Sequence, residues 1–227
     1  MEDMVLPAAF ALGFLSGFKH AFEPDHVIAV STLLHRELKL RRALRLGLAW
    51  GAGHTTMLMV GVLLMGLLRV PLSETTLGYF EIPVAIMLLV LGAWALYGAL
   101  RGILKLRRHQ HDGIPHYHVG EHEHPHGFRL KRTGWPGFAV GLVHGMAGSG
   151  ALLLLVAATL PTTTMSLLYA LTFGVGSILG MGAVTLGLAL PLLASRSKPT
   201  LYHALTGLSG ALSMILGISI LYALWLY

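Results

Sequence analysis

The sequence predicts an all-α integral membrane protein: six transmembrane helices forming two inverted three-helix repeats, with the first and fourth helices broken. Three observations predict it. The first is composition. The 227 residues are 55% hydrophobic and 11% Asp, Glu, Lys or Arg, where a soluble domain carries roughly 25% charged residues. Mean hydropathy is +0.70, so too little polar surface is available to cover a water-soluble globule. The second is segment length. Apolar runs at 7–34, 43–68, 81–104, 135–160, 167–192 and 202–226 can each cross a ~30 Å hydrocarbon core as a helix. The third is that the two halves of the chain resemble each other.

The segments order themselves by charge. The acidic start, Met1-Glu2-Asp3, lacks the basic region of a secretory signal. The loop after the first span carries Arg36, Lys39, Arg41, Arg42 and Arg45. The loop after the third carries Arg101, Lys105, Arg107, Arg108, Arg129, Lys131 and Arg132, and the loop after the fifth Arg196 and Lys198. Fourteen of the 16 basic residues thus fall on one side; Arg69 is opposite and Lys19 lies within a span. The positive-inside rule makes the basic side cytoplasmic and leaves both termini outside. The formal charge of +6 reports these loops and not a nucleic-acid partner.

The repeat runs through three matches in order. Gly13, Phe14, Gly17 and His20 correspond to Gly137, Phe138, Gly141 and His144 at an offset of 124. Trp50, Gly51 and Gly53 correspond to Phe173, Gly174 and Gly176 at 123, and Leu91, Gly92 and Tyr97 to Leu216, Gly217 and Tyr222 at 125. Residues 1–104 form the first repeat, 105–134 a cytoplasmic loop and 135–227 the second repeat. Each copy has three helices, so the second enters the membrane from the opposite face, as in many secondary transporters. Such repeats enclose a binding site near the bilayer midplane.

The polar residues inside the spans gather at that depth. The first span contains His20-Ala21-Phe22-Glu23-Pro24-Asp25-His26. Pro24 removes a backbone donor and turns Glu23 away from helical geometry, which predicts a break near 22–24. In an unbroken helix His20 and His26 would point roughly 120° apart. A break lets both imidazoles and the Asp25 carboxylate converge and frees carbonyls near Phe22. His54, in the Gly53-His54-Thr55 stretch of the second span, lies at the same depth. Ionisable groups in lipid are costly, which marks His20, Asp25, His26 and His54 as a transport site. Imidazole and carboxylate donors suit divalent first-row metals such as nickel, cobalt or zinc. His144, followed by the glycine-rich 145–150, is a further candidate ligand or a cross-helix hydrogen-bonding group. Ser177 stands where the first repeat has His54. Lys19 reads as a snorkelling side chain or a partner of Glu23, and Met57 and Met146 as packing.

These motifs resemble the nickel/cobalt transporter family. His20, four residues, then Asp25-His26 matches the family's histidine–x4–Asp-His motif, and Gly53-His54-Thr55 matches its Gly-His-Ser/Thr motif. The six-span length and the Val143–Gly150 and Phe173–Ser177 regions are similar to the shorter NicO and UreH-type members of a sulfite-exporter-like superfamily. The resemblance covers nearly the whole chain. It implies a membrane transporter whose cargo is Ni(II) or Co(II), with His20, Asp25, His26 and His54 as ligands. The chain departs from the longer permeases, which have eight spans and acidic motifs in later helices: here no Asp or Glu follows Glu123.

Between the third and fourth spans, seven histidines fall in 18 residues: His109, His111, His116, His118, His122, His124 and His126, with Asp112, Glu121 and Glu123 among them. Glycine and proline at 113, 115, 120 and 125 argue against a packed element, and the composition is that of a weak metal-binding tract. The absence of cysteine removes disulfides, thiolate metal sites and thiol relays. The zinc-protease spacing His-Glu-x-x-His is absent, so no enzyme and no resident cofactor are expected. The expected partners are the lipid bilayer, of a bacterial inner membrane, and a divalent metal ion. Two alternatives stand beside metal transport: a small-anion exporter of sulfite type, using Lys19 and helix N-termini, and a membrane metal chaperone acting through the histidine loop.

Overall fold

The computed structural model describes residues 2–35, 37, 39–68, 78–108, 134–145, 156, 159–160 and 162–226. The described residues form seven α-helices: α1 (Glu2–His20), α2 (Pro24–Leu34), α3 (Leu40–Leu68), α4 (Glu81–Arg108), α5 (Trp135–His144), α6 (Thr163–Ala194) and α7 (Pro199–Trp225). A short 3-10 turn, Ser195–Ser197, links the last two. No strand occurs among the described residues.

Local chemistry sets the helix ends. Pro24 and Pro199 open α2 and α7, where a missing N–H costs nothing. Thr162 caps α6, its hydroxyl accepting from the Met165 N–H at 3.2 Å. Several helices outrun the expected spans: α1 starts at residue 2, α3 at 40, and α4 continues to 108. The hydropathy pattern marks the apolar stretch, whereas the backbone ladder continues into the flanking charged residues.

Among the described residues, four helical stretches are long and apolar enough to cross a membrane: Leu40–Leu64, Glu81–Leu104, Thr163–Ser197 and Pro199–Trp225. The last is strongly apolar, yet little of it is buried within the protein. Leu208, Ile215, Ile218 and Tyr222 on α7 are exposed. A helix apolar all round with an open outer face is a helix made for lipid.

Packing is set by glycine. α1 lies on α6, α3 on both α5 and α6, and α4 on α7, while α2 is wedged against α4, α6 and α7. A Cβ at Gly17 would strike the carbonyl oxygen of Phe173, and a Cβ at Gly141 that of Trp50. A Cβ at Gly53 would strike the carbonyl of Phe138, and one at Gly176 that of Phe14. Backbone thus meets backbone at these seams, an approach only glycine permits. Polar side chains seal the same seams. Ser177 Oγ donates to Gly17 O at 3.1 Å, Thr55 Oγ1 to Gly174 O at 3.2 Å, and Ser213 Oγ to Leu88 O at 2.8 Å. Beneath α2, Ala29, Val30 and Leu34 join Leu46, Trp50, Leu88 and Met181 in the main buried cluster.

Candidate metal centre

The site is built on the break between α1 and α2. α1 stops at His20, and Phe22 N–H and Glu23 N–H donate to Lys19 O and His20 O, both at 3.0 Å. Glu23 is extended at φ −64°, ψ 147°, the conformation a following proline imposes. The chain then re-enters a helix at Pro24. The expected carbonyl donors near Phe22 are partly engaged, since Lys19 O and His20 O each accept one of these turn bonds. Asp25 sits in the first turn of α2, where the helix dipole favours a negative charge.

Five side chains converge from four helices. His20 closes α1, Asp25 and His26 open α2, His54 lies within α3 and His144 closes α5. His20, His26, His54 and His144 are 3%, 1%, 0% and 0% exposed, which decides that they bond within the protein and not to bulk water. His20 Nε2 lies 3.0 Å from His54 Nε2. Asp25 Oδ1 lies 2.9 Å from His26 Nδ1 and also accepts the His26 backbone N–H at 2.9 Å. Asp25 Oδ2 lies 2.8 Å from His144 Nε2. An ionised carboxylate can only accept, so His26 donates through Nδ1 and His144 through Nε2. In the neutral rings this leaves the lone pairs on His26 Nε2 and His144 Nδ1. Neither atom has a hydrogen-bond partner among the described residues, nor does His54 Nδ1.

Donor atoms gather in two overlapping sets: His20, His26 and His54, and Asp25, His26 and His144, each with one donor per residue within 4.8 Å of the others. Buried, unpartnered ring nitrogens in such sets fit a cation that takes imidazole and carboxylate ligands. Asp25 also borders a crevice of about 350 Å³ with Glu23, Pro24, Glu81, Val84, Leu216 and Ile220.

A urease accessory protein UreH from Bacillus sp. (strain TB-90) is 34% identical over 227 residues, which cover 99% of this chain and 95% of that protein. The chain belongs to the UreH family. Two chloroplast proteins of Arabidopsis thaliana, FOR GROWTH AND FERTILITY 2 and 1, are 27% and 26% identical over 97% and 92% of the chain. The UreH-family chain spans 58% and 57% of the length of these two plant proteins. No family model and no solved structure matches.

The UreH-family chain thus brings His20, Asp25, His26, His54 and His144 together. His109, His111, His116, His118, His122, His124 and His126 lie outside the described residues, as do Met146 and the rest of 146–150. Met57 packs closely over Gly145. Lys19 is exposed, and Glu23 turns to His20, with Oε2 3.1 Å from Nδ1. Two neighbours were not singled out from sequence. Trp50 stacks on His26 with ring centroids 5.7 Å apart and planes at 10°, and Phe173 lies 5.3 Å from the His20 ring. The available signals were spacing. Trp50 is one helical turn before His54, and Glu23 is three residues after His20.

Proposed function

We propose that this protein carries a divalent transition-metal cation, nickel or cobalt foremost, across a bacterial inner membrane. Its site is His20, Asp25, His26 and His54, joined by His144. One observation carries the reading: five metal-ligating side chains from four helices meet in a buried cluster with three ring nitrogens unpartnered among the described residues. Imidazole with carboxylate selects first-row divalent ions over calcium or magnesium, which take oxygen ligands. The likeness to the nickel/cobalt transporters narrows the metal. The relative's name, a urease accessory protein, fits a supplier of metal to a metalloenzyme.

The architecture in this reading is six spans in two inverted repeats, with both termini outside and the histidine-rich 109–126 in the cytoplasm as a metal buffer. The glycine contacts support it. Gly17 on Phe173 and Gly141 on Trp50 are the same contact with the two repeats exchanged, as are Gly53 on Phe138 and Gly176 on Phe14. The pair Gly92 on Gly210 and Gly217 on Ala85 repeats the relation at an offset of 125. The anion alternative is weakened by Lys19, whose exposed side chain leaves a cluster of acceptors and imidazoles without a resident cation.

The test is flux into proteoliposomes loaded with a metal-sensitive dye. Nickel, cobalt, zinc and manganese would be compared for wild type, His26→Ala and a deletion of 109–126. The expected result is nickel or cobalt flux that His26→Ala abolishes and the deletion spares. Loss of function with the deletion alone would favour the metal chaperone. Sulfite flux without metal flux would favour the anion exporter.

A further inference from the structure

We propose that His26 is a pivot ligand that passes the cation between two stations, His20–His54 on one side and Asp25–His144 on the other. The inference rests on the transport reading above and adds how the cation moves through the site.

Three observations carry it. His26 is the one histidine common to both donor sets. Its ring neighbours two others at nearly equal distance, with centroids 4.4 Å from His20 and 4.3 Å from His144. The far members do not share a set: among the described residues His20 and His54 fall in one and Asp25 and His144 in the other, and the His54 and His144 ring centroids are 6.5 Å apart.

The flanking histidines are counterparts. His20 and His144 stand at matching places in the two halves of the sequence, 124 residues apart. Each is the last residue of its helix. In a transporter of inverted repeats the two access states differ by exchanging the postures of the repeats. A ligand near the exchange axis keeps its place, while its repeat-related neighbours swap roles. His26 has the position for the first part, and His20 and His144 for the second.

The stations also differ in access. Asp25 borders the crevice of about 350 Å³ beside Glu23 and Glu81, and none of the four histidines does. The Asp25–His144 station therefore borders the crevice through a ligand of its own, whereas the His20–His54 station meets it only through Glu23, which is paired with His20. Ligand exchange on a ring that never lets go of the ion avoids a bare cation in a low-dielectric interior, which is the costly intermediate.

The experiment measures nickel binding to purified protein by equilibrium dialysis and nickel flux in proteoliposomes, for wild type, His54→Asn, His144→Asn and His26→Asn. Each variant is checked for a monodisperse elution profile, with the glutamine variant replacing any that aggregates. The expected result is one nickel per wild-type chain. His54→Asn and His144→Asn should each keep one nickel with affinity lowered no more than about tenfold, yet lose flux to background. His26→Asn should lose binding and flux together. Loss of binding in both His54→Asn and His144→Asn would mean one composite site and overturn the inference, as would undiminished flux in His144→Asn. In either case wild-type flux would leave the transport reading intact. A folded wild type that neither binds nor carries metal would sink both.

Discussion

His20 and His54 face each other through their Nε2 atoms at 3.0 Å, with both rings buried. One nitrogen must donate and the other accept, so the pair holds a single proton between them. Two imidazole nitrogens bound to one first-row cation lie about 3.0–3.4 Å apart. The pair is therefore already spaced for a metal, and replacing the shared proton by a cation needs at most a few tenths of an ångström of movement.

That exchange sets the pH dependence. An imidazole must be neutral to ligate, and binding releases protons. Nickel affinity should rise with pH through the range in which imidazoles lose their protons and fall on acidification. Dissociation constants measured between about pH 4 and 8 check this. A profile flat over that whole range would argue against histidine ligation.

Asp25 holds two rings at once, Oδ1 on His26 Nδ1 and Oδ2 on His144 Nε2. Such a carboxylate fixes tautomer and orientation, and losing one typically lowers metal affinity 10–100-fold. Asp25→Asn should weaken nickel binding by about that factor while leaving the helices folded. Isothermal titration alongside far-UV circular dichroism would read both.

Trp50 stacks on His26 at 10° between planes. Nickel or cobalt on His26 should quench its emission. The chain has four tryptophans, and Trp50→Phe should remove most of the metal-induced quench while the others still fluoresce. Quenching unchanged in the variant would place the ion elsewhere.

The glycine seams give a stability prediction. Gly17→Ala and Gly141→Ala put a methyl group against a backbone carbonyl and should cost about 1–3 kcal/mol each. Gly98→Ala meets nothing within 4 Å and should be neutral or slightly stabilising, since alanine favours the helix. Thermal melts in detergent would show the contrast.

Much of the centre was legible because local chemistry and placement coincide. Pro24 announces the break, and α1 ends at His20 while α2 begins at Pro24. His54 announces itself as a buried ionisable group beside Gly53. His144 could be read as the counterpart of His20, but its bond to Asp25 could not, because that contact joins residues 119 apart. The stack of Trp50 on His26 and the turn of Glu23 toward His20 were hidden for the same kind of reason. A tryptophan in an apolar helix looks like core, and a glutamate beside a lysine looks like a surface pair. Which helix lies on which was not legible either, since every span is apolar and glycine-rich. The pairing of α3 with α5 emerges only when Gly53 and Gly141 meet carbonyls on the opposite helix.

The nitrogens of His26, His54 and His144 that lack partners among the described residues bear on the lifetime of the protein in the cell. Buried donors and acceptors without partners tax the folded state, and a ligand that satisfies them shifts the folding balance, by about 2.7 kcal/mol at a hundredfold excess over its dissociation constant. The cargo would then act as its own stabiliser. Molecules made in metal-starved cells should be cleared faster by membrane proteases than those made in metal-replete cells, and pulse-chase half-lives should lengthen with added nickel. Asp25→Asn, with its weaker hold on the ion, should lose most of that protection. Abundance would then track metal supply through turnover alone, without a change in transcription.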